Sequence, residues 1–135
     1  MKWARGQMSD DELDVELLMF DFSRRIDRSQ LPGGRHIFHF VFNGLTQFAN
    51  WWIVIEENGE RELCLINPGK EVDVRICSDL RTMTQIWAGD ADMRAARSDG
   101  RVQVSGNALL IRTMPSWLRN GMFASVRAQR DGWKV

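Results

Sequence analysis

Apolar residues recur at helical spacing near the start of the chain. Val15, Leu18, Met19, Phe22 and Ile26 fall on one stripe, and Leu13, Leu17 and Phe20 lie beside it. Ser9-Asp10-Asp11-Glu12 fits a capping box, with Asp14 as a later cap. Arg24, Arg25 and Arg28 bring positive charge to the other end, where the helix dipole favours it. The apolar face is wider than a surface helix needs. The helix is therefore either covered on two sides or set against a partner chain.

Leu31-Pro32-Gly33-Gly34 breaks the pattern, and the period then falls to two. Phe38, Phe40 and Phe42 point to one face of a strand, and Ile37, His39 and Val41 to the other. Trp51 to Ile55 is a continuous apolar run of β-forming residues. Glu56-Glu57-Asn58-Gly59 turns it into a further strand, Glu62 to Ile66. After Asn67-Pro68-Gly69, Val72, Val74 and Ile76 alternate with Asp73, Arg75 and Cys77. Four successive strands are most simply joined as an antiparallel meander.

From Ser78 the spacing is helical again. Ser78 or Asp79 caps a helix carrying Leu80, Met83, Thr84 and Trp87, which Gly89 ends. A short helix over 91–98 turns Met93 and Ala96 inward. Asp99-Gly100 leads to a fifth strand, Arg101 to Val104, which Gly106 stops. Asn107 to Met114 suits a strand or a helix, and a short helix follows Pro115. Residues after Phe123 are polar and expected to fray. This order predicts an α+β fold: a mixed, largely antiparallel sheet of about five strands with helices packed on one face. The expected division is an N-terminal segment and linker helix over 1–30, a domain over 31–123 and a polar tail over 124–135.

Composition adds limits. The 135 residues suit one domain with a core that needs no disulfide or metal staple. Lys plus Arg equals Asp plus Glu, at 18 each, which argues against general binding to nucleic acid or acidic membranes. The C-terminal excess of Arg112, Arg119, Arg127, Arg130 and Lys134 over Asp131 fits a solvated tail. No signal peptide and no membrane-spanning apolar run is evident, so a reduced, cytoplasmic protein without stable membrane insertion is expected. Cys64 and Cys77 could touch if their strands were neighbours, though buried small hydrophobes describe them better. Six Trp and seven Phe without a single Tyr suit an interior short of hydroxyl groups.

Catalytic motifs are missing. His36 and His39 stand three apart on a strand and point to opposite faces, which excludes joint chelation. Cys64 and Cys77 lack the spacing of a zinc or redox pair. Neither a phosphate loop nor a nucleophile elbow occurs. The carboxylate pairs Asp10-Asp11 and Glu56-Glu57 lie in solvent-facing turns, not in a desolvated cleft that would tune an acid and a base. Asp73 and Arg75 share a strand face as a surface pair, and Asp79, Arg81 and Asp90 bracket the helix of Trp87 as structural residues. No cofactor is implied. The apolar set remains: Phe38, Phe40, Phe42, Trp52, Val54, Val74, Ile76, Leu80, Met83, Trp87, Met93, Val102, Val104, Leu110 and Met114 suffice to line a sheet face and its helices. They could form a filled core or the walls of a cavity.

Residues 70–114, with strand, glycine-ended helix, short helix and the final Gly100–Gly106 strand, resemble the second half of the sterol-carrier-protein-type lipid-binding domain. A longer resemblance covers nearly the whole chain. Trp51-Trp52, Leu63-Cys64, Asn67-Pro68-Gly69, Val72-Asp73, Asp79-Leu80-Arg81-Thr82, Trp87-Ala88-Gly89-Asp90 and Pro115-Ser116-Trp117-Leu118 look like the C-terminal domain of some HxlR-type winged-helix transcriptional regulators. Those relatives read Asp-Pro-Gly where this chain has Asn67-Pro68-Gly69, and their linker helix looks like 16–27. The resemblance implies binding of a lipid or small apolar ligand without catalysis, in a cavity lined by Phe38, Phe40, Phe42, Trp52, Val74, Ile76, Leu80, Met83, Trp87, Met93, Val104, Leu110 and Met114. It implies a bacterial sensor or carrier. The segment before the domain leaves no room for a winged helix, so the chain is expected to be a stand-alone relative or an excised fragment. Direct nucleic-acid binding is not carried over. A structural or homodimerisation module with a filled core is the alternative.

Overall fold

A computed structural model describes residues 10–69 and 71–118, with side chains from Val15 onward. Helix α1, Asp10–Arg25, buries the expected stripe: Val15, Met19 and Phe22 lose all their exposure, and Leu18 nearly all. The cap side chains expected at 9–12 and the tail after Phe123 lie outside the described residues. A 3-10 turn, Arg28–Gln30, follows, capped by the Asp27 carboxylate. The Arg28 guanidinium then donates to the carbonyls of Leu31, Pro32, Gly34 and Glu56, holding the glycine break in shape.

Strands β1 (His36–Asn43), β2 (Asn50–Ile55), β3 (Arg61–Cys64), β4 (Val74–Asp79) and β5 (Val102–Gly106) form one sheet in the order β3-β2-β1-β4-β5. β1 to β3 run as an antiparallel meander. The fourth strand corrects the simple meander: β4 leaves β3 and pairs parallel to β1, with Phe38 opposite Val74 and Phe40 opposite Ile76. β1 thus becomes the central strand. Its turn to β2 contains Phe48 at a positive φ of 58°, where the Phe48 carbonyl accepts from the Trp51 indole.

The crossing from β3 to β4 explains two further corrections. Val72 is not a β4 residue; β4 starts at Val74, and Val72 packs beneath the sheet against Ile37, Trp52 and Val54. Cys64 and Cys77 do not sit in neighbouring strands, because β2 and β1 intervene, and both are free thiols. β3 also stops at Cys64, leaving Leu65 and Ile66 exposed.

Helices α2 (Leu80–Trp87), α3 (Met93–Ser98), α4 (Ala108–Arg112) and α5 (Met114–Trp117) join α1 on one face of the sheet. The ambiguous stretch after Asn107 is helical, and the Asn107 side chain caps it through the Leu110 amide. Gly89, at φ 81°, ends α2. Asp21 on α1 accepts from both the Trp87 indole and Arg25, tying α1 to α2. Arg61 on β3 reaches the carbonyls of Ser23 and Ile26 at 2.6 and 2.7 Å, satisfying acceptors at the end of α1. Arg61→Met keeps the stem and removes both bonds, so a loss of about 2 kcal/mol in urea unfolding is expected.

Candidate functional site

The residues expected to line a ligand space come from every layer of the fold. Phe38, Phe40 and Phe42 of β1, Val74 and Ile76 of β4, Met83 of α2, Met93 of α3, Leu110 of α4 and Met114 of α5 belong to one buried cluster. Leu80, Trp87 and Val104 pack at its margin. Trp52 does not join them. Register sets its side: Trp51, Ile53 and Ile55 face Phe40, Phe38 and His36 across the ladder, while Trp52 and Val54 face His39 and Ile37. Trp52 therefore lies on the helix-free face, in a small cluster with Ile37 and Val54.

Among the described residues, the side chains of the phenylalanine wall are closely covered. A void that admits a water-sized sphere leaves accessible area on the side chains around it. Phe38, Phe40, Val74 and Met83 have none, and Phe42 and Ile76 keep 1%. Ring contacts account for part of the filling: Phe22 stacks on Phe40 at 5.7 Å and Trp117 on Phe38 at 4.7 Å.

Open space adjoins this core between α3 and α5. A groove of about 410 Å³ is lined by Asp92, Met93, Arg94, Arg97, Met114, Pro115 and Leu118. Its apolar floor, Met93, Met114 and Leu118, is itself part of the core cluster. On the other side of α3, a shallower groove of about 560 Å³ runs along β5, lined by Arg94, Arg97, Ser98, Gly100, Val102, Gln103 and Val104. Arg94 and Arg97 thus form a ridge shared by the two grooves. Sequence periodicity identified Met93 and Met114 but missed Arg94, Arg97, Pro115 and Leu118. The available signal was the three-residue spacing of two arginines beside an inward methionine.

Other chemically capable groups are engaged in structure. The His36 Nε2 lies 2.9 Å from the Pro32 carbonyl oxygen, and its Nδ1 lies 3.9 Å from the Asp73 carboxylate. That carboxylate accepts from the Ile37 amide at 2.7 Å, so Asp73 joins the ends of β1 and β4 and is not a ladder partner of Arg75. His39, on the opposite face, stacks on Trp52 at 4.4 Å and contacts the Asn50 side chain. Burial lowers the His39 pKa most; Asn50 opposes this and Arg75 adds to it. Burial chiefly, with Glu62, pushes the Cys64 thiol up, the wrong direction for a nucleophile. Asp79 caps α2 through the Thr82 amide and hydroxyl. Burial alone would raise its pKa, but those hydrogen bonds leave it lowered. Arg81 has no ion-pair partner among the described residues. Nor does any group of three His, Cys, Asp or Glu among them form a metal cage.

No protein-family model matches the chain, and no curated protein matches it. Solved structures do. A double mutant of the sec-alkyl sulfatase PisA1 matches with a TM-score of 0.56 at 22% identity, over 74% of this chain but 16% of that one. The sterol carrier protein domain 2 of Helicoverpa armigera matches with a TM-score of 0.54 at 20% identity, over 76% of this chain and 86% of that one. A palmitated sterol carrier protein 2-like protein of Aedes aegypti gives 0.54 at 16% identity, covering 76% and 91%. The fold is therefore an α+β fold of the sterol-carrier-protein type.

Proposed function

We propose that the chain is a non-enzymatic binding domain for a lipid or other small apolar ligand. The observation that carries this is the groove between α3 and α5. Its floor of Met93, Met114 and Leu118 is also the outer layer of the core, so a chain lying in the groove touches the interior directly. The likeness in fold to a palmitated protein supports the same function. Phe38 and Phe40 expose no surface, so a ligand would reach them by displacing side chains. Met19, Met83, Met93 and Met114 are unbranched and suited to that. The cavity set would then line the bound ligand, without Trp52. The regulator-like residues 87–90 and 115–118 support a sensory or carrier role in the cytoplasm, with no DNA contact assigned to this chain. No helix among the described residues is long and apolar enough to cross a membrane.

Native mass spectrometry of protein purified from cells is expected to show an adduct of lipid mass, and a fluorescent fatty acid bound to the protein should be displaced by lipid. No adduct and no displacement by any lipid class would sink the proposal. One observation favours a dimerisation module instead: Leu17 and Phe20 on the outer side of α1 are 69% and 56% exposed. Sedimentation that finds a tight dimer, in protein that binds no lipid, would establish that alternative.

A further inference from the structure

We infer that the open edge of β5, with the arginines of α3 beside it, takes an extended acidic peptide as a sixth strand of the sheet. This goes beyond the apolar-ligand function and uses the groove on the other side of α3. β5 is an edge of the sheet, and β4 is its partner there. The ladder decides which backbone groups of β5 are left over. The Asn107 amide donates to the Asp73 carbonyl at 2.8 Å, which continues the β4–β5 ladder by one pair. Alternation along an antiparallel ladder then turns the backbone of Gln103 and Ser105 toward β4, and that of Val102 and Val104 outward. No hydrogen bond outside the ladder ties Val102 or Val104 among the described residues. Their amides and carbonyls are thus left along the edge for another strand.

This edge lies in a groove. The space of about 560 Å³ between α3 and β5 has Arg94, Arg97 and Ser98 on one side and Val102, Gln103 and Val104 on the other. A strand added to β5 would set alternate side chains beside Val102 and Val104, on the helix face, where the two arginines stand. No carboxylate lines the groove, and Arg94 and Arg97 make no hydrogen bond or ion pair among the described residues. Glutamate or aspartate at those alternate positions would receive charge-assisted hydrogen bonds. Strand addition of this kind draws affinity from the main chain and selectivity from alternate side chains. Charge argues against nearer occupants. The β5 of a second copy has no acidic residue and would bring two more arginines with it. Residues 1–9 bring Lys2 and Arg5 without a carboxylate, and 119–135 bring Arg119, Arg127, Arg130 and Lys134 against Asp131 alone.

The test titrates the full chain with a capped heptapeptide of alternating glutamate and threonine, followed by calorimetry and by amide resonances. The Val102 and Val104 amides are expected to shift and to exchange more slowly with solvent when it binds. One alternate set of peptide amides faces β5. N-methylation of that set should abolish binding, and N-methylation of the other should be tolerated. Glutamine in place of glutamate should weaken binding about threefold to tenfold, the range for exposed charge contacts, and the difference should shrink as salt rises. Arg94→Gln with Arg97→Gln should keep its unfolding midpoint and lose that difference. If the two methylated peptides behave alike, or exchange at Val102 and Val104 is unchanged, strand addition is overturned. A glutamine peptide bound as tightly as the glutamate peptide, or a difference that survives the double variant, overturns the acidic preference. Equal binding of a heptathymidylate oligonucleotide would make the groove a general anion surface and overturn the peptide. Binding of no probe overturns the inference and leaves the apolar-ligand function standing.

Discussion

Trp117→Ala is expected to lower stability by about 4 kcal/mol, the cost of emptying a fully buried aromatic site. Trp117 has no exposed surface, and its ring stacks on Phe38 at 4.7 Å, so its loss opens a hole against the central strand. Its indole donates to the Leu110 carbonyl at 2.9 Å, fastening α5 to α4. Its own carbonyl accepts from the Asp27 amide at 2.8 Å, bringing the end of the described chain back to α1. The alanine variant keeps that backbone bond and loses the rest. Urea unfolding followed by circular dichroism would read the change, and a loss below about 1 kcal/mol would contradict the packing described. Trp117→Phe keeps a ring over Phe38 but leaves the Leu110 carbonyl with only the long contact from the Thr113 hydroxyl, at 3.4 Å, so a smaller loss of about 2 kcal/mol is expected.

Gly106→Ala should cost about 3 kcal/mol or more, for reasons of backbone alone. Gly106 ends β5 at φ 127°, a region that side chains rarely adopt. A methyl group there would sit 2.3 Å from the Asp73 carbonyl oxygen. That oxygen cannot retreat freely, since it accepts from the Asn107 amide at 2.8 Å while the Asp73 amide donates to Ile37. Gly100→Ala provides the comparison. Gly100 also has a positive φ, 88°, but nothing lies within 4 Å of an added methyl. Its cost should be about 1 kcal/mol, so the difference between the two variants isolates the collision. Equal losses would show that conformation alone, and not the contact with Asp73, demands glycine at the end of β5.

Elements with one clean period are legible in the sequence. The α1 stripe and the alternation of Phe38, Phe40 and Phe42 both predicted the buried face, because each has one apolar side and one wet side. Trp51 to Ile55 is apolar on both sides, so it carries no alternation, and only pairing with β1 decides that Trp52 faces away from the helices. Val72 followed the right parity for β4 yet belongs to the crossing segment; a residue before a strand can mimic its pattern while the backbone turns beneath the sheet. The jump of β4 to the far side of β1 has no local signal, because hydrophobic period describes faces and not neighbours. The same holds for the α3–α5 groove. Met93 and Met114 were readable as inward residues, but their meeting with Pro115 and Leu118 depends on how two short helices close over the sheet.

The Asp73 junction has a consequence for how the chain assembles. β1, β2 and β3 are hairpin neighbours and can find one another quickly, and so, across α2 and α3, can β4 and β5. The parallel seam between β1 and β4 requires the chain to close over a separation of 36 residues before the Asp73 carboxylate can receive the Ile37 amide. The two halves are thus expected to gain order ahead of the seam that unites them. The central strand would be among the last to have both of its neighbours in place.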